Sequence, residues 1–111
     1  MNSFTKDSKA FIVIVEENAN ISAKLGGKYK DQEYAQIDIG IAAQSICLNA
    51  ADLGLGTCMI GWFNEKNAKK LLRIPQKKRI RLMISVGYPK GSPPKEKRRK
   101  SLDQVMRIDH W

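Results

Sequence analysis

The chain has 111 residues, 42% of them hydrophobic and 28% charged, with a formal net charge of +9. That length holds one small domain with one core. No apolar run approaches the roughly 18 residues of a membrane span, and no secretory leader is visible, so the default address is the cytoplasm.

The charge is uneven. Residues 1–64 carry five Lys/Arg and seven Asp/Glu, whereas residues 65–111 carry fifteen and four. The second half is therefore solvated, binds anions, or both. Cys47 and Cys58 lie in apolar context without CxxC spacing, and His110 is the only histidine. That pattern offers no metal site and reads as two reduced core thiols.

Residues 1–9 are polar and read as a frayed end. "AFIVIVEE", 10–17, is rich in β-branched residues and reads as a strand buried on both faces. Residues 18–34, with Asn, Ser, a Gly-Gly pair and several charges, read as a loop, with or without a short helical turn. "QIDIGIAAQSICLNAADLG", 36–54, predicts a helix with Asp38 as N-cap and Gly54 just past its end. Its polar stripe is narrow: Asp38, Ser45, Asn49 and Asp52. The remainder is Ile, Ala, Leu and Cys, so the helix should be largely buried. Alanines such as Ala43 and Ala50 let another helix approach, and in so small a chain that neighbour belongs naturally to a second subunit.

"GTCMIGWF", 56–63, predicts a second strand. "NEKNAKKLLRI" predicts a short amphipathic helix capped by Asn64, with Ala68, Leu71 and Leu72 inward and Pro75 beyond its end. "RIRLMISVGYP", 79–89, predicts a third strand. "KGSPPKEKRRK" reads as an extended basic tail and "SLDQVM" as a last helical turn. Alternating strands and helices are compatible with a parallel sheet. The very short turn before the second strand fits an α+β arrangement at least as well.

Three glycines sit where the long helix meets the second strand. Gly54 closes the helix in the left-handed region, and Gly56 completes the turn. Gly61 reads either as a bulge or as bare backbone approached closely by a ligand. The "KEKRRK" run reads as a solvated segment, a nucleic-acid patch or a phosphate clamp. Only Tyr88 lies near it, which ranks nucleic acid low. Neither GxGxxG nor GxxxxGK[ST] occurs.

In order, "IDIGIAAQSICLNAADLGLGTCMIGWF", "LLRIP", "ISVGYP" and "KRRKSLDQV" resemble the C-terminal half of the nitroreductase family, the FMN-dependent NAD(P)H oxidoreductases. The resemblance covers residues 10–109. It implies an α+β fold of layered α/β/α type with a small, mostly antiparallel sheet and a central buried helix. It also implies a homodimer with FMN at the subunit interface. By this resemblance Met59, Ile60, Gly61 and Trp62 lie against the isoalloxazine ring, with the Gly61 amide facing flavin N5. Lys97 and Arg99 contact the FMN phosphate, with Arg98 beside them. The family's N-terminal helical part, with its Arg-rich phosphate motif, is not found in residues 1–111, which read as one domain. The flavin does the chemistry in this family, so no acid–base residue is singled out, and His110 reads as a surface residue.

The expected function is hydride transfer from NAD(P)H through FMN to a nitro or quinone-like acceptor. Two alternatives stand beside it: a remnant that keeps the dimer core without binding flavin, and a basic module for nucleic acid or other anions through residues 66–107.

Overall fold

The structure is a computed structural model and describes residues 5–17, 34–91 and 96–110. Most of the loop expected at 18–34 lies outside the described residues, as does the start of the expected frayed end. The elements in chain order are β1 (Ala10–Glu16), α1 (Tyr34–Asp52), β2 (Gly56–Ile60), α2 (Glu65–Leu72), β3 (Arg79–Gly87) and α3 (Leu102–Val105). The three strands form one sheet in the order β1-β3-β2, and both pairings are antiparallel. The fold is α+β, and the parallel arrangement is excluded. No helix among the described residues is long and apolar enough to cross a membrane.

β3 is central, and its sequence shows why. Ile80, Ile84 and Ser85 are all buried. Ile84 and Ser85 are consecutive and so point to opposite faces; at this level the central strand is covered on both sides. β1 was expected to be buried on both faces too, but Phe11 and Ile12 are exposed. Phe11 and Ile12 are consecutive and so point to opposite faces; at this end of the edge strand neither face is covered. The one irregularity recorded in either pairing lies between Ile14 and Val15 of β1.

α1 packs against all three strands. It begins at Tyr34, so Asp38 lies within the helix and is not its cap. The end agrees with the sequence. The Leu55 N–H reaches the Ala50 carbonyl at 2.8 Å and the Gly54 N–H the Ala51 carbonyl at 3.0 Å, with Gly54 at φ 73°. That is a Schellman closure, in which glycine avoids the Cβ clash of the left-handed region. Only Ala43 and Ala50 of this helix are buried. Both sit in the chain's own core, which corrects the expectation that they meet a second subunit. Tyr34, Ile37, Ile41 and Leu48 remain exposed.

Residues 5–9 are not frayed. The Lys9 N–H donates to the Val86 carbonyl at 2.9 Å, the Ser8 N–H to Thr5 at 3.0 Å, and Lys90 pairs with Asp7 at 2.9 Å. The Lys90 ammonium holds the Asp7 carboxyl below its usual range, chiefly by its hydrogen bond. The thiols are free as expected, but Cys58 is exposed and only Cys47 is partly buried, so they are not a core pair.

α2 is capped by Asn64, whose side chain accepts from the Asn67 N–H at 3.0 Å. Its inward residue differs from expectation. Leu71 and Leu72 are exposed, whereas Lys69 is buried. The Lys69 ammonium is satisfied there by the Gln76 carbonyl at 3.2 Å and by Glu65 at 3.1 Å, as a buried cation must be. Glu65 ties α2 to the sheet. Its carboxylate accepts from Arg79 Nε at 3.0 Å and from the Ile80 N–H at 2.9 Å. These bonds, the Arg79 one first, lower its pKa from 4.5 to about 2.

A group with a depressed folded-state pKa stabilises fully above its unfolded value and loses that contribution as pH falls. The Glu65 contribution should therefore disappear between pH 4.5 and about 2. Replacing Glu65 with Gln should lower Tm at neutral pH and flatten part of the acid-side loss of Tm in that window. Parallel acid profiles for the two proteins would show that the cluster adds nothing.

Candidate functional site

β2 ends the three-stranded ladder with Met59 opposite Ile84 and Ile60 opposite Met83. The alternation of the strand separates their side chains. Ile60 is 6% exposed and belongs to the core, while Met59 is 43% exposed. Gly61 follows the last paired residue, and Trp62, beyond it, is 79% exposed. The strand is thus shorter than the expected 56–63, because pairing stops at Ile60.

Gly61 does not mark a bulge. The β2–β3 register runs without a shift through Ile60. The described glycines with positive φ are Gly54 and Gly91, so Gly61 needs no special backbone region. A Cβ built on it meets no other atom within 4 Å. The backbone at 61 therefore faces open space flanked by an exposed thioether and an exposed indole. Gly56 does not complete the turn but opens β2, opposite Gly87.

The basic candidates sit on a different element. Lys97, Arg98 and Arg99 are exposed in a stretch without helix or strand that leads into α3. That helix starts as expected, with the Ser101 N–H donating to Gln104 Oε1 at 3.3 Å. Neither Lys97 nor Arg99 forms an ion pair with a described residue, so both cations are available to an anion. The structure brings Met59, Ile60, Gly61 and Trp62 together at one strand end, and Lys97 and Arg99 together on the tail. His110 is exposed, as expected.

Two features escaped the sequence reading. One is the Glu65–Arg79–Lys69 cluster. Its Glu65/Lys69 spacing was visible as an i, i+4 pair, but the burial of Lys69 was not. The other is an open recess of about 290 Å³ at the opposite end of β2, lined in part by Asp7, Cys58, Ser85 and Lys90.

The Nitroreductase family model matches residues 2–88. A nitroreductase family protein from Clostridium novyi NT is 36% identical, with a TM-score of 0.59, over 74% of this chain and 44% of that one. One from Streptococcus pneumoniae is 25% identical, with a TM-score of 0.62, over 68% of this chain and 37% of that one. NfrA1 of B. megaterium, at 23% identity, shares the fold with a TM-score of 0.71 over 94% of this chain and 47% of its own length. No curated protein matches the chain. The chain belongs to the nitroreductase family, and it spans less than half the length of these three relatives. The family-model match stops at Tyr88, so Lys97 and Arg99 lie beyond it.

Proposed function

We propose that this chain is the flavin-holding part of an FMN-dependent oxidoreductase. The observation that supports this reading most is the uncovered backbone at Gly61 in a chain of this family. A glycine that the fold does not need, beside exposed Met59 and Trp62, fits a flat ring laid against the strand end. Ile60 anchors that end by filling the core. The Gly61 amide would donate to the ring, and Lys97 and Arg99 would hold the phosphate as charge-assisted donors. Bound FMN would supply the redox chemistry, accepting hydride from NAD(P)H and reducing a nitro or quinone-like acceptor. The protein's own share is to orient the ring, donate to it and keep water from it. The test is a titration of FMN into the purified chain, followed by flavin fluorescence. Saturable quenching is expected; no binding up to about 1 mM, the level of a very weak complex, overturns the reading and leaves the flavin-free remnant.

We further propose a homodimer. Tyr34, Ile37, Ile41 and Leu48 leave one side of α1 apolar and uncovered, and an apolar patch of that kind marks an interface. Burying a side chain as large as Ile or Leu contributes roughly 1.5–3 kcal/mol. Ile41→Glu combined with Leu48→Glu should therefore give a folded monomer, read by light scattering and circular dichroism. A wild-type chain already monomeric at micromolar concentration would rule the dimer out.

A further inference from the structure

The chain closes its two longer helices in the same way with different residues. α1 ends on Gly54 at φ 73°. α2 ends on Arg73 at φ 56°, ψ 34°, with the Arg73 N–H reaching the Lys70 carbonyl at 3.4 Å and the Ile74 N–H the Lys69 carbonyl at 2.9 Å. The left-handed region is disfavoured for any residue with a Cβ, and glycine is the usual solution there. Arg73 is thus a backbone outlier, of the kind concentrated at ligand-holding positions. Its side chain does no visible work for the fold. It is exposed and forms no ion pair with a described residue.

The neighbouring cations divide into two groups. Lys69 and Arg79 close on Glu65, Lys78 on Glu17, and Arg81 on Glu16. Lys66, Lys70, Arg73 and Lys77 have no such acid among the described residues, and all four are exposed; the first three are on α2 or directly at its end. Lys66 and Lys70 lie one turn apart on the same side of α2, and Arg73, just past the end of the helix, shares a recess with Lys70. Lys70 and Arg73, with Asn67 and Leu71, line an open recess of about 420 Å³. Leu71 is 82% exposed there.

We propose that this basic surface docks an acidic protein segment. Its carboxylates would face Lys66, Lys70 and Arg73, and one apolar side chain would seat on Leu71 in the recess. Charge complementarity argues for the acid, and Arg73 offers the bidentate fork that carboxylates fit. The exposed leucine among the cations decides the class of partner. A hydrated phosphate backbone has no use for Leu71, and the recess lining holds no aromatic on which a base would stack. A bilayer needs a broad apolar face to enter, and the large apolar residues of α2 are Leu71 and Leu72 alone. Lys66, Lys70 and Arg73 are none of the residues assigned to the flavin, so the proposal stands independently of the flavin reading.

The test uses the full chain and a labelled helical peptide carrying Glu at i, i+4 and i+7 with one Leu beside them. A scrambled peptide of the same composition is the control, and fluorescence anisotropy at low salt is the readout. The ordered peptide should bind at least about tenfold more tightly than the scrambled one. Lys70→Glu and Arg73→Gly should each weaken it at least about tenfold. Arg73→Gly should also keep or raise Tm, because glycine relieves the left-handed strain. FMN affinity should not change in either variant. The proposal fails if the ordered peptide does not bind, or if the scrambled peptide binds equally well. It also fails if oligo-dT or phosphatidylglycerol vesicles bind more tightly than the peptide. A lower Tm in Arg73→Gly would likewise overturn it, since Arg73 would then serve the fold.

Discussion

Gly61→Val is expected to leave the flavin-free chain as stable as the wild type and to weaken FMN at least about tenfold, or roughly 1.4 kcal/mol. The two halves of this expectation have separate causes. Stability should hold because nothing in the fold asks for glycine at this position. Its φ is not in the left-handed region, its Cβ direction is open, and the ladder has already ended at Ile60 in unbroken register. A β-branched residue suits the backbone that continues a strand, so the change in stability should stay within about 0.5 kcal/mol. Affinity should fall because the added side chain occupies the space that the ring needs and hinders its approach to the amide. Differential scanning fluorimetry without flavin and a fluorescence titration with it read the two quantities independently. A lower Tm in the flavin-free state together with unaltered FMN affinity would sink the assignment. Gly54 provides the contrast: its φ of 73° gives it a structural duty, so a substitution there should destabilise the chain whether or not flavin is present.

That contrast also shows which parts of the molecule were legible in the sequence. Gly54 followed from a helix pattern ending at a glycine, a purely local signal, and the observed closure agrees. The strand cores and the Asn64 cap were legible for the same reason. What depends on neighbours was not. The alternation of elements left parallel and antiparallel sheets both open, since connectivity and not periodicity puts β3 in the middle. The apolar run of β1 suggested two covered faces, yet Phe11 and Ile12, on opposite faces of an edge strand, are both exposed, because covering depends on what packs above and below the sheet and not on the strand's own composition. In α2 the pattern favoured Leu71 and Leu72 as inward residues. Glu65 and the Gln76 carbonyl instead give the Lys69 ammonium a polar setting inside, and the two leucines are left out. At the candidate site the sequence posed the Gly61 question without deciding it, and an unbroken register with open space above the residue removes the bulge.

Arg99→Ala is expected to weaken FMN by about 1.5–3 kcal/mol, the range for hydrogen bonds to charged groups, or about 10- to 150-fold. The tail offers Lys97, Arg98, Arg99 and Lys100 in succession, all exposed and none in an ion pair with a described residue. A chain bound in extended form places residues two apart on the same side. Lys97 and Arg99 would then share the phosphate while Arg98 points away, so Arg98→Ala should cost less than about 0.5 kcal/mol. Arg99→Lys should recover part of the loss, because lysine restores the charge but not the two-pronged geometry. Riboflavin separates a phosphate contact from a general disturbance of the tail, since it carries the same ring without the phosphate. The Arg99→Ala variant should bind riboflavin as the wild type does while binding FMN much more weakly, and rising salt should narrow the gap between the two flavins in the wild type. An equal loss for both flavins would mean that Arg99 shapes the site without touching the phosphate, and an unaltered FMN affinity would remove the tail from the site altogether.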